Sequence, residues 1–272
     1  MAFCEFIDNV KKDFLKLPKD LNVSTVGFAC KLNTTCESNN IARYVDLKYD
    51  GIVAVNYGYF NNKATNRTII FKKKQKNPQK KAFFNQVSLT VRVTGSTKVH
   101  VKIFSNGSIQ MANCKNADEI VEALEILYKN LKLIKAIPDY ENKVMIEKHF
   151  VNNHDALCHE NITKFKICLI NTDFNIKFNI DREKLFDLGI KKGIQCTYDP
   201  MKHACVNIKY KYKTKNVTIF VFEKGSIIIT GSKNCDQIAS TYNFINKYLL
   251  ENYNSIKKIH GGKTIDVMDL LK

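Results

Sequence analysis

The sequence predicts an α+β protein made of two tandem repeats, each an antiparallel sheet with helices on one face. Residues 104–131 match residues 222–249 without a gap at an offset of 118, and ten of the 28 paired positions are identical. Each copy joins strand-like alternation of apolar residues to a longer amphipathic stretch, and 44% apolar residues can form a buried core. Helices on one face leave the opposite face of the sheet open. We expect the functional site on that open face.

Both repeats are predicted to contain the same elements in the same order, namely a strand, a short helix, four strands and a long helix. Asn116 and Asn234 are good N-cap residues for the long helices, each of which has one apolar stripe. The other elements for which the sequence gives bounds are strands 21–32, 88–93 and 99–104 with a short helix near 36–47 in the first repeat, and strands 164–171, 205–212 and 217–222 with a short helix near 181–188 in the second.

The first repeat has about 30 residues more than the second, and we expect this insertion at 59–82. Six Lys lie within residues 72–81, around Pro78. Such a basic loop is either a solvated insertion or a segment that clamps DNA. The predicted divisions of the chain are an N-terminal segment 1–20, a first repeat 21–135, an inter-repeat segment 136–160, a second repeat 161–255 and a tail 256–272.

The chain carries a net charge of +17, which favours a polyanionic partner. Only four of the 43 basic residues are Arg, and such an excess of Lys is also the composition that an AT-rich genome imposes. Charge alone therefore gives only limited support for nucleic-acid binding. No GxSxG, HExxH or P-loop motif occurs, so the sequence predicts no enzyme.

Nine Cys without a CxxC pair indicate buried, reduced thiols rather than a disulfide framework. The cluster of His149, His154, Cys158 and His159 has no second Cys pair, so we predict neither a metal site nor a cofactor. The start of the chain does not resemble a signal peptide, and no run of about 18 apolar residues occurs. We expect an intracellular protein of a reducing compartment, such as a nucleus, a viral factory or a virion.

Several motifs resemble the TATA-box-binding protein family. Residues 23–32 (VSTVGFACKL) are similar to the family's first-strand signature V-[SA]-T-V-x-L-G-C-[KR]-L, and residues 165–167 (FKI) to the opening of its second repeat. Residues 219–231 (IFVFEKGSIIITG) resemble its strand pair L-I-F-x-S-G-K-[IV]-V-L-T-G, and residues 198–200 (YDP) its Y-[EN]-P turn. The same motif order in both halves makes the resemblance specific.

The resemblance covers about 21–135 and 160–255, and the basic run before residues 83–85 (FFN) is similar to versions from large DNA viruses. It implies a pseudo-twofold saddle, with a curved antiparallel sheet and helices on the convex face. In this family the concave face lies in the DNA minor groove, where pairs of Phe wedge between base steps. The implied wedges are Phe84 and Phe104 in the first repeat and His203, in place of Phe, with Phe222 in the second.

The resemblance also implies a floor and a rim around these wedges. The implied contacts are Val23, Lys102, Phe220, Ile228 and Thr230 on the floor, and Arg92 and Lys209 on the basic rim.

Some positions depart from the family pattern. Leu21 and Leu169 stand where the family has the two Asn that reach the central base pairs, and Asn171 replaces a Val. Lys102 replaces a Leu of the floor. Because A·T-versus-G·C discrimination rests partly on such groups, we expect weak sequence selectivity and an asymmetric kink carried mainly by the first wedge pair.

Three functions are compatible with this pattern. The first is a transcription initiation factor that binds promoter DNA in the minor groove and recruits a transcription-factor-IIB-like protein and RNA polymerase. The second is an interaction scaffold in transcription that keeps the fold but has lost sequence-specific binding, which Leu21, Leu169, Lys102 and His203 favour. The third is an accessory domain of a nuclease or glycosylase, which the lack of catalytic motifs disfavours.

The long helix of the first repeat begins with Asp118, Glu119, Glu122 and Glu125 at positions that are usually basic in the family. The resemblance therefore gives no support for docking of a transcription-factor-IIA-like partner. Acidic residues in a first turn also suit the helix dipole.

Overall fold

The computed structural model describes residues 1–58, 65–70 and 85–258, and the structural statements below concern these residues. The chain forms two compact units. Unit 1 contains Met1–Leu15 and Ser24–Leu169, and unit 2 contains Lys16–Val23 and the chain from Ile170 onward. The boundaries fall inside the first strand of each repeat.

Unit 1 is an antiparallel sheet with helices on one face, in the strand order β1-β6-β5-β4-β2-β3. Helix α3 packs on β6 and β4, and α2 packs on β2 and β4. Its elements are α1 (Phe3–Phe14), β1 (Asn22–Lys31), α2 (Ser38–Tyr44), β2 (Ile52–Tyr57), β3 (Thr65–Thr68), β4 (Gln86–Arg92), β5 (Lys98–Phe104), β6 (Ser108–Cys114), α3 (Ala117–Leu131), a separate hairpin of β7 (Lys135–Asp139) and β8 (Val144–Lys148), and the start of β9 (Thr163–Asn175).

Unit 2 repeats this plan in the strand order β10-β11-β12-β13-β9, again antiparallel. Helix α5 packs on β13 and β11, and α4 packs on β10 and β11. After β9 its elements are α4 (Arg182–Lys191), β10 (Cys196–Thr197), β11 (Cys205–Tyr212), β12 (Lys215–Phe222), β13 (Ser226–Ser232), α5 (Cys235–Glu251) and α6 (Tyr253–Ile256). The predicted α+β class is confirmed. The predicted order of strand, short helix, four strands and long helix is found in unit 2, whereas unit 1 has β3 as an additional strand.

The long helices of both repeats begin with the same reciprocal capping arrangement. The Asn116 side chain accepts a hydrogen bond from the Glu119 N–H (2.9 Å), while the Glu119 carboxylate accepts one from the Lys115 N–H (2.7 Å). Asn234 and Gln237 repeat this at α5, at 3.0 and 2.7 Å. Two otherwise unsatisfied N–H groups are thereby paired at each helix start, which typically stabilises a helix by about 1 kcal/mol.

The N-terminal segment contains a helix that was not predicted from the sequence. Phe3 and Phe6 of α1 lie with their ring centroids 6.1 and 6.4 Å from that of Phe28, and both also contact Phe165. Phe28 is 1% exposed on the helix-bearing side of β1. This aromatic cluster holds α1 on unit 1.

The expected insertion at 59–82 is only partly described. Its residues 65–68 form β3, which pairs with β2 and extends the sheet. Arg67 donates hydrogen bonds to the carbonyls of Ala42 (2.8 Å) and Val45 (2.9 Å) at the end of α2. Residues 59–64 and 71–84, which include the basic run and Phe84, lie outside the described residues, as does the tail from 259.

None of the described helices is both long enough and apolar enough to span a membrane.

Burial sets the chemistry of the thiols. None of the nine Cys, all of which lie in the described chain, forms a disulfide, and burial raises the pKa of Cys30, Cys36 and Cys114 to about 12. Only the thiolate is an effective nucleophile. We therefore expect these three thiols to react with iodoacetamide at pH 8 at least about tenfold more slowly than exposed Cys4, and all to react in denaturant. Peptide mapping after timed alkylation measures this, and equal rates in the native protein would contradict the described burial.

Candidate nucleic-acid interface

Each unit has one sheet face that its helices do not cover. In β5, Val99, Val101 and Ile103 are fully buried, while the alternating His100 and Lys102 are exposed. In β12, Val217, Ile219 and Val221 are buried, while Thr218, Phe220 and Phe222 remain partly exposed. We call the exposed sides the open face of unit 1 and the open face of unit 2.

The strand register shows which side chains adjoin on these faces. In unit 1, Lys102 lies between Ser88 of β4 and Gln110 of β6. In unit 2, the corresponding Phe220 lies between Asn207 of β11 and Ile228 of β13. Directly paired residues of antiparallel strands share a face, so these sets form equivalent rows.

Phe104 and Phe222 end their strands at identical turns. The Gly107 N–H donates to the Phe104 carbonyl (2.9 Å), and the Gly225 N–H donates to the Phe222 carbonyl (3.1 Å). Both glycines have positive φ, of 82° and 77°, which other residues rarely adopt. The two Phe are half-buried. The predicted equivalence of Phe104 and Phe222 is thus matched by their local structure.

The two open faces differ in chemistry. On unit 1 the floor positions hold exposed Lys102 and Gln110, whereas on unit 2 they hold half-buried Phe220 and Ile228. On unit 2, the Thr230 hydroxyl donates to the Asn171 side-chain oxygen (2.6 Å). The face of unit 1 is therefore polar and basic, and the floor of unit 2 is largely apolar.

The basic rim residues Arg92 and Lys209 do not occupy equivalent positions. Arg92 pairs with Lys98, and the pair that corresponds to it in unit 2 is Lys211 with Asn216. Lys209 instead pairs with Thr218, to whose hydroxyl its ammonium donates (2.6 Å). Arg92 and Lys209 are both half-buried, whereas Lys211 is exposed.

His203 is an exposed residue of the loop between β10 and β11. Its N–H donates to the Asp199 carbonyl (2.8 Å). Arg182 holds the loop in place: its guanidinium donates to the Ala204 carbonyl and to Glu223, both at 2.8 Å. Lys258 also donates to Glu223 (2.7 Å), and this hydrogen bond, with Arg182 nearby, lowers the pKa of that carboxyl.

The β1 and β9 positions that depart from the family pattern lie at different depths. Leu21 is buried, whereas Val23 and Leu169 are half-buried. Asp173 was not among the residues predicted from the sequence, although it pairs with Ile228 on the open face of unit 2 and accepts a hydrogen bond from Asn22 (3.1 Å). Its place between the buried residues Thr172 and Phe174 in an alternating strand was the available signal.

The acidic residues at the start of α3 all have partners within unit 1. The Thr94 N–H and hydroxyl donate to Glu122, both at 2.8 Å, and Glu119 belongs to the cap. Asp118 lies 2.6 Å from Lys11 of α1, and Glu125 lies 3.7 Å from His159. Glu119 therefore serves helix capping and Asp118 the attachment of α1, whereas Glu122 and Glu125 connect α3 to Thr94 and His159.

The histidine cluster does not converge on one point. His149 and His154 lie 3.4 Å apart between ring nitrogens, whereas His159 stacks on Phe3 at 5.3 Å. Cys158 is directed to the Asp155 carbonyl at 3.9 Å. Among the residues that the structure describes, no set of three His, Cys, Asp or Glu is placed to hold a metal ion.

The chain is similar to several known proteins. Residues 164–252 match the family model of transcription factor TFIID, or TATA-binding protein. The chain is 36% identical over 291 residues to a TATA-box-binding protein-like protein of Acanthamoeba polyphaga mimivirus, covering 98% of this chain and 77% of the relative. This confirms the predicted likeness to versions from large DNA viruses. A solved structure, Methanococcus jannaschii TBP, is 16% identical with a TM-score of 0.49, over 85% of this chain and 99% of that one.

A relative that is 36% identical over nearly the whole chain shows that this protein belongs to the TATA-box-binding protein family of transcription-related DNA-binding proteins.

Proposed function

We propose that the protein is a transcription initiation factor whose two open faces bind duplex DNA in the minor groove, and which recruits a transcription-factor-IIB-like protein and RNA polymerase. One observation carries the proposal. The helices of each unit leave a sheet face free, and each of these faces ends in a half-exposed Phe at a glycine turn. We propose no enzymatic activity for this chain.

The physical requirements of minor-groove binding support this proposal. Wedging between base steps needs rigid apolar side chains, which Phe104 and Phe222 supply. A narrow groove needs a flat floor, which Phe220 and Ile228 supply in unit 2. Phosphate contacts need cations at the edges, where Lys98, Arg92 and Lys211 lie.

The polar face of unit 1 determines how the DNA is held. An exposed Lys102 gains little from an apolar contact with base edges, but it is long enough to reach a phosphate. We therefore assign to unit 1 mainly charge contacts and a wedge, and to unit 2 most of the apolar groove contacts.

Two observations favour the scaffold as a second candidate. Lys102 interrupts the apolar floor of unit 1, and Asp173 places a carboxylate on the open face of unit 2. A carboxylate near phosphates costs binding energy because like charges repel. A protein that no longer bends DNA would tolerate both residues.

We expect weak sequence selectivity. In fluorescence-anisotropy titrations at about 0.1 M salt, affinities for duplexes with a TATA sequence, a scrambled AT-rich sequence and a GC-rich sequence should agree within about tenfold. The reason is that polar and charged groups replace apolar floor groups of unit 1. A preference for TATA of a hundredfold or more would contradict this expectation. Absence of binding to all three duplexes would favour the scaffold.

A further inference from the structure

The hairpin of β7 and β8 carries an unusual amount of exposed apolar surface. Of the twelve large apolar side chains that are exposed in the described chain, six lie within residues 133–146, and they are 39% to 85% exposed. They are Leu133, Ile134, Tyr140, Val144, Met145 and Ile146. Clustered apolar surface of this kind marks protein interaction sites.

The hairpin projects from a fixed stem. Lys135, at its start, lies 2.6 Å from Asp46, and the carbonyl of His149, just beyond its end, accepts a hydrogen bond from Asn40 (2.8 Å). The next residue, Phe150, is fully buried, and its carbonyl accepts from the Glu37 N–H (2.9 Å). The exposed strands are therefore held in a defined orientation on unit 1.

The two outer edges of the hairpin are not equivalent. Strands β7 and β8 form a separate two-stranded sheet, so no other described strand pairs with either edge. Pro138 lies within β7 and has no backbone N–H. The missing N–H is tolerated at the outer edge of β7, which faces solvent, and it blocks the pairing of a further strand at that edge. Met145 is paired with Pro138, so its N–H and C=O are expected to face away from β7. The edge of β8 is open to a further strand.

The sequence of the open edge is complementary to itself. Residues 143–147 read KVMIE, in which Lys143, the last residue of the turn with φ of 53°, comes before three apolar residues of β8 and the anion Glu147. If two copies pair antiparallel about Met145, Val144 of each copy faces Ile146 of the other, and Glu147 lies opposite Lys143 at the end of the turn, twice by symmetry. Pairing about Glu147 would place Glu147 against itself, and pairing about Val144 would place Glu147 against Glu141.

We propose that β8 is a self-association edge, at which a second copy of this chain pairs antiparallel about Met145 to form a four-stranded sheet. Such a contact is isologous, because each copy supplies the same strand. The hairpin lies in the inter-repeat segment, outside the matched family region 164–252. The residues that form this contact are not residues of the open face of unit 1 or of unit 2.

Two paired strands of this length bury less surface than a standard protein–protein interface. The dimer should therefore be weak, with a dissociation constant of about 10–100 μM. The charge of +17 on each copy opposes association, and added salt screens that repulsion. Moderate salt should therefore strengthen the dimer, whereas it weakens DNA binding. This opposite dependence separates a failure of this proposal from a failure of the proposed function.

Charge reversal tests the register. Sedimentation velocity of the full chain from about 5 to 200 μM should show a monomer–dimer equilibrium, and Lys143→Glu or Glu147→Lys alone should weaken it about tenfold, since each change opposes like charges twice. The double variant Lys143→Glu with Glu147→Lys, and an equimolar mixture of the two single variants, should restore dimers. Lys132→Glu, the same charge change outside the proposed contact, is the matched control and should leave the equilibrium unchanged.

Cross-linking tests the geometry independently. Directly paired residues of this kind lie about 5.5 Å apart between Cα atoms, which a disulfide can span. Under mild oxidation, Met145→Cys should give a 145–145 linkage identified by mass spectrometry, and Val144→Cys, displaced by two residues from its copy, should give far less. A wild-type chain that stays monomeric at 200 μM, or equal linkage from both variants, would overturn the proposal.

Discussion

Raising the NaCl concentration from about 0.1 to 0.4 M is expected to weaken DNA binding by about a thousandfold. Each phosphate neutralised by Lys or Arg contributes about −0.9 to the slope of log K against log salt, so six phosphates give a slope near −5.4. Lys98, Lys102 and Lys211 of the open faces supply some of these cations, and the whole chain carries a net charge of +17.

Single substitutions test whether the salt dependence belongs to the open faces. Lys211→Ala should reduce the slope by about one and weaken all duplexes equally, because a phosphate contact carries no sequence information. Lys132→Ala, at an exposed position after α3, should change neither the salt slope nor the affinity for any duplex. The titrations use nanomolar protein, which is far below the micromolar concentrations at which the protein is expected to self-associate, so dimer formation does not affect the slope. A slope between zero and −1 would refute the electrostatic mode.

The repeated core of the fold could be predicted from sequence because its signals are local and duplicated. Asn116 and Asn234 each begin a helix with a reciprocal cap, and the glycine turns after Phe104 and Phe222 occur in register. Each repeat supports the assignment of the other. An ungapped repeat of this length also fixes which residues of β6 and β13 occupy equivalent positions, since alternation has a period of two.

The rim could not be aligned from motifs alone, because register depends on loop length. Five residues separate Arg92 from its partner Lys98, but four separate Lys211 from Asn216, so β4 and β11 are offset by 119 residues rather than 118. Lys213, with φ of 52°, lies in the shorter turn. A one-residue difference is enough to move a side chain to the other face, and motif comparison cannot detect it.

Two further elements escaped prediction for different reasons. Helix α1 has apolar residues at helical spacing, from Phe3 through Val10, so its signal was present but ambiguous in a short terminal segment. Strand β8 shows no alternating burial, because both of its faces are exposed, and β7 alternates only between half-buried and exposed residues. A strand that does not pack on the core leaves no hydrophobic period in the sequence.

The wedge residues should show unequal effects on DNA bending. Phe104→Ala is expected to remove most of the bend and to weaken affinity about 10- to 100-fold, because an aromatic ring stacked on a base contributes about 1–3 kcal/mol. Phe222→Ala should have a smaller effect, since its predicted partner His203 is a poor wedge. Phe104 is half-buried at the end of a hairpin, so the variant should remain folded.

The side chain of His203 is the reason for expecting the second wedge pair to bend DNA less than the first. Imidazole is smaller and more strongly hydrated than a phenyl ring, so it is a poorer wedge between base steps. It lies in an exposed loop that Arg182 fixes through the Ala204 carbonyl, so the position is held although the residue is polar. His203→Phe should therefore increase the bend without rebuilding the loop.

End-labelled energy transfer on a short duplex measures these differences directly. The series is Phe104→Ala, Phe222→Ala and His203→Phe, with Phe14→Ala, a half-buried Phe of α1, as the control for loss of a ring. An unchanged bend in His203→Phe together with loss of the bend in Phe222→Ala would show that His203 is not at a wedge position. If none of the three variants alters bending or affinity, DNA does not lie on the open faces, and the scaffold becomes the better account of this chain.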